Sequence, residues 1–190
     1  SLLGAKKRQN KITDYREMML AWKRARIMTI AGYILGFPND TPASIVHDIE
    51  IIKHELPIDM LEFFFLTPLP GSEDHKVLHS KGVAMDADLN KYDLDHVTVG
   101  HARMSKAEWE QAYRLAWDTY YTWDHVETLM RRAAATGNNV GKIGTYALYF
   151  MGYHPIEHVH PLEGGVLRLK SRDERRPHLP VEPALLFYPR

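Results

Sequence analysis

MTIAGYILGFPNDTPASI, residues 28–45, opens as a β-branched and aromatic run that is apolar on both faces and stops at Gly36-Phe37-Pro38. That is the pattern of a strand buried between two layers. Asn39-Asp40-Thr41-Pro42 then starts a helix, with Thr41 as N-cap, Pro42 at the first helical position and Ile45, Ile49, Ile52 and Leu56 as its apolar stripe, and Pro57 ends it. A second aromatic-rich buried strand follows from Ile58 to Thr67, broken by Pro68, Pro70 and Gly71. Upstream, Ile12, Tyr15, Met18, Met19, Trp22 and Ile27 recur at three- and four-residue steps among Lys and Arg, which predicts an amphipathic helix over 12–27. Helix, strand, helix, strand is half of a parallel α/β architecture. Two buried strands alone make no stable sheet, so further strands are expected upstream. Both strand-to-helix exits, Gly36–Thr41 and Thr67–Asp74, fall at strand C-terminal ends, where open sheets and (β/α) barrels bind ligands.

Composition narrows the function. The chain has 190 residues, 24 Lys+Arg against 24 Asp+Glu, 11 His and no Cys. A chain of this length hides roughly 70% of its unfolded surface, enough for one domain with an appendage. Zero net charge argues against nucleic acid or an anionic membrane as the main partner. No apolar run approaches the eighteen or so residues of a membrane span, and a cytoplasmic protein is expected. Without cysteine there are no disulfides, thiolate nucleophiles, cysteine zinc sites or self-ligated iron–sulfur clusters. SLLGAKKRQN carries neither a signal sequence nor an initiating Met, so an N-terminally cut chain is expected.

After His75 the character changes. Residues 82–104 are polar and loop-like, and Ser105-Lys106-Ala107-Glu108 reads as a capping box opening a long helix with Trp109, Ala112, Tyr113, Ala116, Trp117 and Tyr120 on one face. Further helices are expected over 124–135, closed by Gly137, and over 140–153, ended by Pro155. Three parts result: residues 1–81, a helical extension 82–154, and an extended basic tail 155–190.

The two exit loops carry a resemblance. AGYILGFPNDTPASI, followed by LEFFFLTPLPGSEDH, resembles the fifth and sixth barrel strands of radical S-adenosylmethionine (SAM) proteins, most closely those with an upstream cobalamin-binding domain. The likeness covers about residues 1–80. It implies the last two strands and flanking helices of a partial (β/α)6 barrel, followed by an α-helical extension. It also implies that Gly32, Ile34, Gly36 and Phe37 stand on the adenine side of a SAM pocket whose other wall is Leu66, Thr67 and Pro68. Asp40 stands where many relatives have Glu, and helix capping is its expected role. The family's chemistry needs a Cys-x-x-x-Cys-x-x-Cys loop for a [4Fe–4S] cluster, which this chain lacks. The cluster, and any cobalamin, would therefore be bound by an upstream half of the same enzyme, and this chain alone is expected to be inactive.

Other constellations have plainer readings. His154-Pro-Ile-Glu-His158-Val-His160 is the densest histidine cluster, but Pro155 is expected to break the helix that a paired-histidine metal site needs, so no metal ligand is assigned. Asp86, Asp88, Asp93 and Asp95 lack the Gly and Glu of a calcium loop and read as a solvated turn. Tyr92–His101 is a candidate lid, with His96 and His101 as candidates for proton transfer. The aromatic stripe is expected to pack on the 124–135 helix, and Arg131-Arg132 to complement that helix's dipole. The leading expectation is the C-terminal part of a cobalamin-type radical SAM enzyme that modifies a small-molecule substrate by methyl transfer or rearrangement. A noncatalytic helical interaction module with a relict half barrel is the alternative, and a histidine-dependent metallohydrolase ranks lowest.

Overall fold

The structure, a computed structural model, describes residues 12–93, 95–157 and 160–162. The expected N-terminal stretch 1–11 and most of the tail, including His158 and the arginines from 168 onward, lie outside the described residues. So does the side chain of His154, and with it the histidine-cluster reading. The architecture is mixed α/β and mostly helical. Its elements are α1 (Ile12–Arg24), β1 (Ile30–Leu35), α2 (Pro42–Glu55), β2 (Met60–Phe65), α3 (Glu73–Ser80), α4 (Lys106–Tyr120), α5 (Trp123–Ala135) and α6 (Val140–Glu157).

β1 and β2 pair in parallel, with Ile30 opposite Met60 and Leu35 opposite Phe65. The crossover helix α2 begins where its sequence demands. Thr41 accepts from Ser44 N, Ser44 Oγ accepts from Thr41 N, and Pro42 occupies the first turn. Ile45 and Ile49 of α2 are fully buried in one core with Tyr33, Leu35, Leu61, Phe63 and Phe65. Arg16 of α1 pairs with Glu55, the last residue of α2, at 3.1 Å. Beneath the sheet, Lys23 and Asp59 form a buried ion pair, and Asp59 also accepts from Thr29 N.

The two sheet edges differ. On the β2 side, Tyr121 Oη accepts from Leu61 N at 3.0 Å and donates to Leu61 O at 2.8 Å, standing in for a neighbouring strand. Tyr120 Oη and Arg132 Nη1 both donate to Ile58 O. Among the described residues, β1 has no such cover. The bonds Met60 N to Thr29 O and Leu66 N to Leu35 O turn the odd-numbered residues of β1 toward β2, leaving the main chain of Ile30, Gly32 and Ile34 facing outward. Ile30 and Ile34 are 51% and 40% exposed, so β1 is not covered on both faces as its composition suggested.

Three further expectations are corrected. The aromatic stripe of α4 packs mainly on β2 and α2: Phe65 stacks on Tyr113 at 4.4 Å, and Phe63 meets Trp117 edge-on at 5.0 Å. Arg132 reaches back to Leu56 O and Ile58 O rather than only facing its own helix end. α6 continues through Pro155 to Glu157, because a proline in the last turn forfeits one main-chain bond without breaking a long ladder. Among the described residues, no helix is long and apolar enough to cross a membrane.

Candidate functional site

A cavity of about 640 Å³ opens at the C-terminal ends of the two strands. This is within the usual range for small-molecule sites, and at the strand ends where parallel α/β folds place them. One wall is Gly36 and Phe37 after β1, and another is Leu66, Thr67 and Pro68 after β2. Five of the seven residues expected to form a cofactor pocket therefore converge on one space. Gly32 and Ile34 do not. They sit on the sheet face turned away from α2, where the Phe64 ring, itself stacked on His160 at 5.0 Å, lies so close to Gly32 that a Cβ there would be 2.9 Å from Phe64 Cε2. Glu62, opposite Gly32 in the register, shares this face. Burial pushes its carboxyl above the ordinary value, and it makes no hydrogen bond or ion pair with any described residue.

The β1 exit loop is held from within. Asp40 Oδ2 accepts from Gly36 N and Phe37 N, each at 2.9 Å, and Asp40 N donates to Phe37 O at 2.8 Å. Asp40 is thus a loop clamp, whereas Thr41 caps α2; this corrects the helix-capping role expected of Asp40. Gly36 has φ of 103°, a conformation that side chains resist, and it lies over the indole of Trp109.

The extension supplies the remaining wall. His101 Nδ1 accepts from Arg103 N at 3.1 Å, which places the proton on Nε2, and Nε2–H donates to Phe37 O at 2.9 Å. Arg103 Nη1 donates to Asn39 O at 2.8 Å. Val99 and Gly100 line the cavity as well, so only the C-terminal end of the lid candidate Tyr92–His101 reaches it. Of the two histidines expected to move protons, His101 is in the wall. His96 is exposed and paired with Asp93, outside the lining. Trp109 forms the floor and borders a second cavity of about 440 Å³, and its indole N–H is buried without a partner among the described residues.

The sequence bounds the second exit loop at Asp74 without its helix, and it assigns Trp109 to the core alone. Asp74 lies in α3, an eight-residue helix hidden by the change of character near His75, although Ser72 as N-cap and Glu73-Asp74 in the first turn were a readable start signal. Trp109 reads as core by its spacing and is both core and floor. The acidic segment is a turn: Asp86 accepts from Asp88 N and Lys91 Nζ, and Asp88 caps a single 3-10 turn, Leu89–Lys91. Among the described residues, no cluster of three or more His, Asp or Glu is arranged to hold a metal.

Fold and site together define a mixed α/β protein with a ligand-sized cavity at the ends of two parallel strands, closed by a helical extension. No protein-family model matches the chain, and no curated protein matches it.

Proposed function

We propose that the chain is the C-terminal part of a cytoplasmic radical SAM enzyme of the cobalamin-dependent kind, and that the strand-end cavity is its share of the adenosyl pocket. The observation that carries this reading is the convergence of Gly36, Phe37, Leu66, Thr67 and Pro68 on that cavity. Phe37, Leu66 and Pro68 offer apolar surface to a flat ring, and Gly36, having no side chain, lets the Trp109 indole close the floor beneath the loop. Bound there, SAM would supply a methyl group or a 5′-deoxyadenosyl radical; what this chain's residues do is bind and orient the ligand and keep water off its ring.

The partial-barrel reading has separate support. Tyr121 covers the edge of β2 at Leu61, while no described residue covers the edge of β1. Right-handed crossovers would place a strand preceding α1 on the β1 side of the sheet. In a partial barrel the face carrying Gly32, Ile34 and Glu62, opposite the one that packs on α2, would be the concave interior. The [4Fe–4S] cluster does not fit this chain, which offers no thiolate, so no reaction step is derived through it. The small-molecule substrate and any cobalamin belong with the upstream half.

The coding sequence immediately upstream tests the proposal. An in-frame Cys-x-x-x-Cys-x-x-Cys loop in a (β/α) context is the expected finding, and an uninterrupted unrelated domain there would overturn it.

A further inference from the structure

Among the described residues that line the strand-end cavity, Asp74 is the one charged side chain. It stands in the first turn of α3, is exposed, and makes no hydrogen bond or ion pair with any described residue. Across the cavity, His101 spends both ring nitrogens on main-chain groups, Nε2–H on Phe37 O and Nδ1 on Arg103 N–H. Neither ring nitrogen is left over for a ligand. Among the described residues, no lysine or arginine lines the space. Two helix first turns reach the lining: that of α3 begins with Glu73 and Asp74, which repel the phosphate such a terminus would otherwise attract, and that of α4 presents the Trp109 indole. The wall is therefore apolar with one negative charge, although strand-end sites of parallel folds commonly hold phosphorylated ligands.

We propose that Asp74 makes the cavity selective for an adenosyl ligand bearing a positive charge over one bearing a phosphate. The inference rests on the adenosyl-pocket reading above. It adds a specificity-determining residue, because S-adenosylmethionine and S-adenosylhomocysteine differ only by the methyl that makes the sulfur cationic.

Titration calorimetry of the full chain at low ionic strength, where charge effects are least screened, tests it with three probes: S-adenosylmethionine, S-adenosylhomocysteine and AMP. An interaction between a partly exposed carboxylate and a cation predicts roughly a threefold preference for S-adenosylmethionine over S-adenosylhomocysteine, with AMP weakest. Asp74→Asn should bring the first ratio close to one and strengthen AMP, while Asp74→Glu should keep the wild-type order. Asp74 is exposed, so the variants should melt like the wild type. If S-adenosylhomocysteine binds but the ratio is the same in wild type and Asp74→Asn, the charge inference is overturned and the pocket reading stands. If none of the three probes binds, the inference that this cavity itself discriminates them is overturned, and the pocket reading is decided separately by the upstream coding sequence.

Discussion

Trp109 lies directly under Gly36: a Cβ added to the glycine would sit 1.8 Å from Trp109 Cζ2 and 2.3 Å from Cε2. The contact joins a loop of the parallel sheet to the first turn of a helix more than seventy residues later. The helical extension is therefore fitted to the strand-end loop, and the cavity exists only because the two meet.

Gly36→Ala should destabilise the protein by about 2–4 kcal/mol, combining a left-handed backbone that resists a side chain with overpacking against a rigid indole. Chemical denaturation measures the loss. A double-mutant cycle with Trp109→Ala isolates the contact, and the alanine at 36 should cost about 1–2 kcal/mol less once the indole is gone. Strict additivity would contradict the packing argument.

Asp40→Ala removes the acceptor of two main-chain N–H groups at the rim of the cavity. Bonds to a carboxylate are the stronger kind, so a loss of about 2–3 kcal/mol in unfolding free energy is expected. Asp40→Asn keeps one acceptor oxygen and should lose less than half as much. Amide exchange at Gly36 and Phe37, faster in the alanine variant than elsewhere in the sheet, would report the same clamp locally.

Local signals read well here and long-range ones did not. Thr41-Pro42 and Ser105-x-x-Glu108 start their helices as the sequence predicts, because a cap is decided within four residues. Asp40 was misread because an aspartate beside a helix start can bond forward to the helix or backward to the loop, and only the folded loop chooses. The convergence of Gly36, Phe37 and Leu66–Pro68 followed from both stretches being strand ends of one parallel sheet. That Gly32 and Ile34 lie away from the cavity followed from side-chain alternation along β1, which sequence could have applied. The contacts from His101 and Trp109 depend on how the extension folds back across more than sixty residues, and no local pattern encodes that path.

Tyr121→Phe should cost about 1–3 kcal/mol although it deletes a single oxygen. The hydroxyl both accepts from and donates to the main chain of Leu61 in a buried setting, so its removal strands two backbone groups. Thermal or urea unfolding gives the number. A cost below about 0.5 kcal/mol would mean that water reaches the β2 edge and that Tyr121 does not close it.

His125 makes stability depend on acid. Its ring is buried against Tyr120 at 4.5 Å, and Nε2 has no partner among the described residues. Burial, reinforced by Lys53 and Arg132, lowers its pKa from 6.5 to about 4. Above pH 6.5 the ring is neutral in both the folded and unfolded chain and contributes no pH dependence. Between pH 6.5 and 4 the unfolded chain takes up a proton that the folded chain refuses, so stability falls as pH falls, by up to roughly 3 kcal/mol, and levels off below 4. Urea midpoints measured from pH 7.5 to 4 should show this slope in the wild type, and a His125→Gln variant, compared over the same range, should lack that part of it. Equal slopes in the two proteins would show that the acid sensitivity arises from other groups.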